Sequence, residues 1–582
     1  MEEMESFVHE SDVLVVGGGA AGCHAAIKAK QFGADKVIQL DKGHVGKSSF
    51  ATFGAGILTV FFPEEDDYDW VFKKVVEESA YLVDQERLQH HLQTNLDLVK
   101  EMDSFGVEFE KTADGKLQRH PGRAIIPNIM FHGPQMMDAM GKEARRRGVE
   151  QIHKTMMTDL LTKDGQVVGV VAFDIVSGDW HVFKAKATVL ATGSTYYKGR
   201  PPGSRINTCD GHVAVYRAGA DIANMDCSRH NAFVAHYDVG PGMHMYVGTG
   251  GIFLNAKGER FMPDYDPKYK EQAELYTLIP AMAMEVRRGN GPIYLDMMHF
   301  TPEQVQRLKR VIPIPMMMHQ RLGTCVGDKF VKKIEWMATY PECGLGGSLI
   351  DNRFETCLRG LFAAGDAIPW AGHGGGAYAL IGAFTSGAKA GECAAESAKQ
   401  TGLEEIDEEQ VQELRKYAFQ PIEREEGIDP DHVLIALQET IAPYDVLILR
   451  EEGRLKKALD RVEDIHDNLV PFLHARDPHY LRMAFEAKNL VTAAEMLLRS
   501  ALFRKESRVE RLREDYPYMD NENWAKWVCV KQESGKMKVF TQDLPFERYP
   551  LKPPKEKVLD PRWKRAKELG KIDIKEERVV WV

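Results

Sequence analysis

Three glycines in the spacing Gly17-x-Gly19-x-x-Gly22, with an acid at Asp41 about twenty residues further on, are the residues of this chain best placed for binding chemistry. The first glycine permits a tight turn, the second lets backbone approach a pyrophosphate, and the third lets a helix pack closely on a strand. The helix N-terminus then faces the phosphates, and Asp41 accepts from a ribose hydroxyl, which disfavours a 2′-phosphate. Two later strand ends, Ala191-Thr192-Gly193 and Gly365-Asp366, return to the same nucleotide site. A nicotinamide half-domain does not need both, so the pattern points to FAD. Ala20, Ala21, Lys42, Ser48, Ser49, Gly54, Asp210, Gly382 and Ala383 complete the set of candidate cofactor-binding residues.

The elements that must position these residues follow from the apolar pattern. Asp12-Val-Leu-Val-Val16 predicts a strand, the Ala-rich stretch through Lys30 a helix, and Lys36-Val-Ile-Gln-Leu40 a second strand, together a βαβ unit. Residues 67–103 read as helices, and 166–187 alternate like a β-meander leading into the apolar strand 187–193. Residues from about 225 to 344 are richer in Met, Pro and aromatic side chains and suit an inserted domain. Gly360 to Asp366 brings the chain back on a buried strand, and a glycine-rich passage, Gly372 to Gly376, opens into a helix around Phe384 to Ala398. The expected fold is α/β: a Rossmann-like FAD-binding domain (1–225 and 345–402), an inserted α+β capping domain (226–344), a C-terminal helical domain (403–515), and a tail (516–582) that becomes basic and Pro-containing after Pro545.

Composition narrows the function classes. With 582 residues, 44% hydrophobic and 28% charged, the chain expects several folded domains rather than disorder. A net charge of -11 argues against generic nucleic-acid binding, because phosphate backbones repel acidic surfaces. Eight cysteines (Cys23, Cys209, Cys227, Cys325, Cys343, Cys357, Cys393 and Cys529) form no CxxC pair, so neither zinc nor an iron–sulfur cluster finds its ligand spacing here, and a reducing compartment is expected. The acidic start, Met1 to Phe7, lacks the features of a signal peptide, and no apolar run approaches membrane-spanning length. The expectation is a cytoplasmic chain without direct membrane insertion.

Several motifs in order carry a family resemblance over most of the chain: the glycine fingerprint, Asn207-Thr-x-Asp210-Gly211, Gly258-Glu-Arg-Phe-Met262, Gly365-Asp366 with His373-Gly374 beyond it, Lys505-Glu-Ser-Arg508, and Arg513-Glu-Asp515-Tyr-Pro517. The chain resembles the fumarate reductase, succinate dehydrogenase, L-aspartate oxidase and adenylylsulfate reductase flavoprotein superfamily. That resemblance implies a cap closing substrate against the flavin and two-electron redox at flavin N5. Lys47-Ser48-Ser49-Phe50-Ala51 is similar to the stretch where some relatives carry a flavin-linking histidine, and Ser49 stands at that position, so the FAD is expected to be non-covalent. C4-dicarboxylate members place an arginine a few residues after His-Gly; here His373-Gly374-Gly-Gly-Ala377 has alanine. Their cap arginine, a proton donor, has no counterpart in Ala273-Glu-Leu-Tyr-Thr-Leu-Ile279. A dicarboxylate then lacks both its clamp and its acid. Ala371-Gly-His373 and Arg288-Gly-Asn-Gly-Pro-Ile-Tyr-Leu-Asp296 make the alpha subunit of adenylylsulfate reductase the better likeness, with His373 and Arg229 steadying sulfuryl oxygens as candidate catalytic residues.

These residues also have structural readings. His373 suits a histidine that packs on the flavin and positions backbone. Arg229, His230 and His236 suit a solvated polar cluster. Met316-Met317-Met318 suits core filling, and Arg145-Arg146-Arg147 before Gly148 suits a helix C-terminus. A buried flavin must exchange electrons, and this chain has no cluster ligands of its own. The resemblance therefore implies that the partner is a ferredoxin-like iron–sulfur subunit and, beyond it, a higher oligomer; oxygen or a quinone is the competing route. Reduction or dehydrogenation of a carbon–carbon bond in another acid, and a flavin-bearing relay component without catalysis of its own, remain the alternative functions.

Overall fold

The computed structural model describes residues 5–54, 56–120, 126–199, 203, 205–227, 231–235, 243–338, 346–369 and 378–582. A seven-stranded sheet organises the first part of the chain. Its strands are β1 (Ser6–Val16), β2 (Val37–Leu40), β3 (Glu150–Ile152), β4 (Thr155–Lys163), β5 (Gln166–Asp174), β6 (Trp180–Leu190) and β7 (Leu361–Ala363), running in the order β3-β2-β1-β6-β5-β4, with β7 also paired to β6. β1 lies between β2 and β6, parallel to both, and its Val13–Val16 stretch is buried on both faces, as an unbroken apolar run requires.

β6 joins two kinds of pairing. Its first half, Trp180–Lys184, closes the antiparallel β4-β5-β6 meander, while its last three residues, Thr188–Leu190, pair in parallel with β7. The returning strand at 361–363 therefore lands beside the end of β6, which brings Ala191-Thr192-Gly193 and Gly365-Asp366 to the same sheet edge. The meander begins earlier than its alternation suggests. β4 is buried along nearly its whole length because the helix Glu408–Glu423 covers its outer face, with Met156 and Leu161 packing in one cluster with Val411 and Phe419. A strand covered on both sides loses the period-two signal.

The helices that serve the sheet are α1 (Ala20–Gln31), between β1 and β2, and α2 (Gly133–Arg146), which ends at Arg147 with Gly148 at φ +84°, as the basic run and glycine predict. α3 (Asp210–Arg217) follows the strand end at 191–193. Between α3 and β7, an antiparallel sheet of Ala232–Val234, Ile334–Ala338, Ile293–Asp296 and Ile252–Leu254 is backed by α4 (Leu275–Glu285). Its core is aromatic: Tyr246, Phe253, His319, Phe330 and Trp336 meet edge to face. Of the methionine run, Met316 is buried here and Met317 is exposed.

α5 (Tyr378–Gln400) crosses α1 closely: a Cβ at Gly387 or Gly391 would lie 2.3 Å or 2.2 Å from the carbonyl oxygens of Ala21 and Ala25. After a run of helices ending in α6 (Pro478–Phe503), the chain does not trail off. The hairpin Lys526–Glu533 and Lys536–Asp543 extends a sheet with Ile222–Ala223 and Gly347–Ser348, and α7 (Pro561–Glu568) buries Trp563 completely. The expectation of a tail beyond 515 is corrected: its apolar residues, sparse in the sequence, are bound into the body by pairing with distant strands. Among the described residues no helix is long and apolar enough to cross a membrane.

Candidate functional site

The glycine turn is built as its spacing requires. Gly17 has φ +123°, and a Cβ there would lie 2.1 Å from the carbonyl oxygen of Ala191. Gly19 stands at the N-cap of α1 with no side-chain cap, and Ala20 and Ala21 open the helix. That leaves first-turn N–H groups for a phosphate. A Cβ on Gly19 would come 3.2 Å from the Cβ of Ser49, so the turn and the Ser48–Ser49 stretch face each other across a narrow gap. Ser48 Oγ accepts from the His44 N–H at 2.9 Å, and Ser49 Oγ lies 3.1 Å from Thr52 Oγ1, fixing the short helix Phe50–Phe53 that Gly54 closes.

Asp41, at the end of β2, uses both oxygens on backbone: Oδ2 accepts from Gly18 N–H and Oδ1 from Gly43 N–H, each at 2.6 Å. Burial pushes its carboxyl upward against those two hydrogen bonds. Each carboxylate oxygen can still accept a further bond, so the residue both shapes the turn and keeps capacity for a ribose hydroxyl. At the other strand ends, Gly193 has φ +75°, and Thr192 Oγ1 is buried without a hydrogen-bond partner against Gly211, where a Cβ would sit 2.2 Å away. The Gly365 N–H donates to Ser386 Oγ at 2.9 Å, and Ser386 Oγ donates to the Gly382 carbonyl at 2.6 Å, tying Gly365-Asp366 to the turn of α5 that holds Gly382 and Ala383. An uncapped helix start, glycines with no room for side chains, an orphaned buried hydroxyl and a carboxylate at the end of β2 form a donor set and shape that fit a dinucleotide. His373, Arg229, His230 and His236 lie outside the described residues.

Lys42 belongs to a network that the sequence does not reveal. Its ammonium donates to Thr208 Oγ1 at 2.6 Å, Asp210 Oδ2 at 2.7 Å and Glu486 Oε1 at 3.0 Å. Asp210 also accepts from Asn489 Nδ2 at 2.9 Å. Glu486, fully buried on α6, meets Lys198 as well, and Arg482 at 2.8 Å. Burial works against the Glu486 charge, but Lys198, Lys42 and Arg482 outweigh it and hold the carboxyl at about 2. Burial lowers the Lys198 ammonium even beside Glu486, and both Tyr197 and Lys198 have positive φ, 46° and 57°. No local pattern points to Glu486, because an acid within a charged helix reads as solvent-facing; its partners lie hundreds of residues away. Glu486→Gln is expected to lower FAD affinity about tenfold and to destabilise the protein by roughly 2 kcal/mol, since it leaves three cations sharing one neutral amide. Flavin fluorescence titration and urea unfolding read the two effects; an unchanged affinity would confine Glu486 to a purely structural role.

A family model described as "FAD binding domain" matches residues 12–385, more than half of the chain, and one described as "Fumarate reductase flavoprotein C-term" matches residues 436–558. The flavoprotein-type chain of the fumarate reductase (CoM/CoB) of Methanothermobacter marburgensis is 29% identical over 560 residues, covering 91% of this chain and 98% of that protein. The succinate dehydrogenase flavoprotein subunit of Rickettsia conorii is 26% identical over 590 residues, covering 91% and 94%. Among solved structures, E. coli quinol fumarate reductase matches with a TM-score of 0.86 at 22% identity, covering 95% of this chain and 99% of that one. Adenylylsulfate reductase from Archaeoglobus fulgidus matches with a TM-score of 0.76 at 23% identity, covering 93% and 96%; at such identities the two share the fold alone. With the FAD-binding model spanning the glycine turn, both strand ends and the start of α5, the chain belongs to the family of FAD-dependent oxidoreductase flavoproteins that contains fumarate reductase and succinate dehydrogenase.

Proposed function

We propose that the chain is the catalytic flavoprotein subunit of a two-component oxidoreductase for an anionic substrate, a sulfur oxyanion of the adenylylsulfate kind before a C4-dicarboxylate. Residues 1–225 and 345–402 hold FAD, residues 226–344 cap it, and 403–515 with 516–582 brace the cap. Bound FAD supplies two-electron redox chemistry. The chain's own part is to hold the pyrophosphate on the Gly17–Gly22 turn, the ribose on Asp41, and the remaining contacts through Ser48, Ser49, Thr192 and Asp366. The absence of the linking histidine at Ser49 supports a non-covalent cofactor. His373 and Arg229 take the substrate's oxygens, and a ferredoxin-like iron–sulfur subunit carries the electrons.

The observation that carries the substrate preference is the start of α4. Leu275 is buried, and no residue from Ala273 to Ile279 is an arginine. The guanidinium that does reach this helix, Arg562, binds the Tyr276 carbonyl at 3.2 Å and both carboxylate oxygens of Asp560, so its donors are committed. Carbon–carbon double-bond reduction is the second reading, drawing on the fumarate reductase and succinate dehydrogenase names of the relatives. Anaerobic stopped-flow of the photoreduced protein separates the two. Reoxidation of the flavin by adenylylsulfate and not by fumarate is expected; the reverse result establishes the second reading, and silence from both sinks both in favour of a relay.

A further inference from the structure

Away from the nucleotide, five arginines are almost completely buried together: Arg450, Arg504, Arg508, Arg511 and Arg513. Three buried carboxylates are ion-paired with them. Asp226 takes Arg504 and Arg511, Glu506 takes Arg504 and Arg508, and Asp515 takes Arg513. Arg450 has no carboxylate partner among the described residues. Its Nε donates to the Leu447 carbonyl at 3.0 Å and its Nη1 to the Asp226 carbonyl at 2.8 Å. Two guanidinium nitrogens in this cluster, Arg450 Nη2 and Arg511 Nη1, are buried with no hydrogen-bond partner. Both belong to side chains that converge on Asp226, Arg450 on its carbonyl and Arg511 on its carboxylate.

We propose that this cluster binds a small monovalent anion of halide size, held between Arg450 Nη2 and Arg511 Nη1. A water molecule could accept the two N–H groups, but it would leave a guanidinium charge uncompensated in a low-dielectric interior, where an unpaired ion costs several kcal/mol. An anion meets both needs. Glu510, the further carboxyl nearby, does not supply the missing charge: it receives the Cys227 thiol at 3.5 Å, and burial pushes its carboxyl upward. Burial likewise draws the Arg450 guanidinium down to about 10, with Asp226 only partly offsetting it, as expected of a cation short of a partner. The site is closed, with Leu447 and Leu449 buried beside Arg450, which favours a single-atom ion over an oxyanion. Such an ion would lock the segment that begins at Asp226 to the chain at 450 and 511.

The test uses the full-length, FAD-loaded protein. Thermal unfolding in sodium chloride is expected to lie about 2–4 °C above that in sodium gluconate at equal ionic strength, saturating with chloride. Arg450→Met, which removes the unpaired charge and one of the two donors, is expected to abolish the difference. Crystals soaked in bromide are expected to show anomalous density between the Arg450 and Arg511 guanidinium groups. Bromide-soaked crystals without that density, or a chloride effect undiminished in Arg450→Met, overturns the proposal.

Discussion

Gly22→Ala is expected to give a folded protein that loses its yellow colour on purification, with FAD affinity down about a hundredfold, or about 2.7 kcal/mol. A Cβ on Gly22 would sit 2.0 Å from the carbonyl oxygen of Gly17 and 2.8 Å from its carbonyl carbon. Both contacts are with backbone, so no side chain can swing aside. The neighbour on the other side is equally fixed, because α5 presses Gly387 against Ala21 from behind. Relief comes only if α1 lifts from β1, which moves the very turn whose N–H groups face the pyrophosphate; overpacking of this kind costs about 1–3 kcal/mol in its own right. Gly402→Ala is the matched control, since a Cβ there meets nothing within 4 Å. Flavin absorbance per mole of protein and a fluorescence titration of refilled apoprotein read the effect. Full flavin occupancy in Gly22→Ala would mean that the turn is not the pyrophosphate site.

Asp226→Asn is expected to destabilise the protein by about 3–5 kcal/mol, the cost of stripping the counter-charge from buried cations. Asp226 is completely buried, with Arg504 Nε at 2.7 Å, Arg511 Nε at 2.5 Å and Arg511 Nη2 at 3.2 Å. Asparagine keeps the shape but replaces one acceptor by a donor facing guanidinium groups that only donate. The pH dependence has a definite sign. Burial alone would raise the Asp226 carboxyl, yet Arg511 and Arg504 outweigh it and hold it at about 2, below its ordinary 3.8. A depressed carboxylate contributes stability above its unfolded value and loses it as pH falls through the folded one. The gap between wild type and Asp226→Asn is therefore expected to be constant near neutrality and to close between about pH 4 and pH 2. Urea midpoints across that range measure it, and a gap that persists at pH 2 would assign the effect to packing rather than charge.

The nucleotide turn was legible because its determinants are local. Gly17, Gly19, Gly22 and Asp41 act within one βαβ unit, and glycine is demanded wherever φ is positive or another backbone comes within a Cβ of contact. The return of Gly365-Asp366 was legible for a related reason: a short apolar run ending in glycine marks a buried strand, and such a strand has few places to pair. The start of β4 and the fate of the last 67 or so residues were not legible. β4 lost its alternation to a covering helix, and the chain beyond 515 owes its order to strands more than 150 or so residues earlier in sequence.

By itself, then, the sequence determined the glycine cradle, the alternation of strands and helices that presents it, and the lack of arginine between Ala273 and Ile279, all set by residue type and short spacing. Only the tertiary structure decided that Lys42 shares Glu486 with Lys198 and Arg482, and that Arg450 is buried without a carboxylate while Arg504 and Arg511 share Asp226. Lysine, arginine and glutamate look alike to any local pattern whether solvated or buried. Their energies depend on which opposite charge stands within a few ångströms and how little water remains, and that is fixed by contacts between segments far apart in the chain.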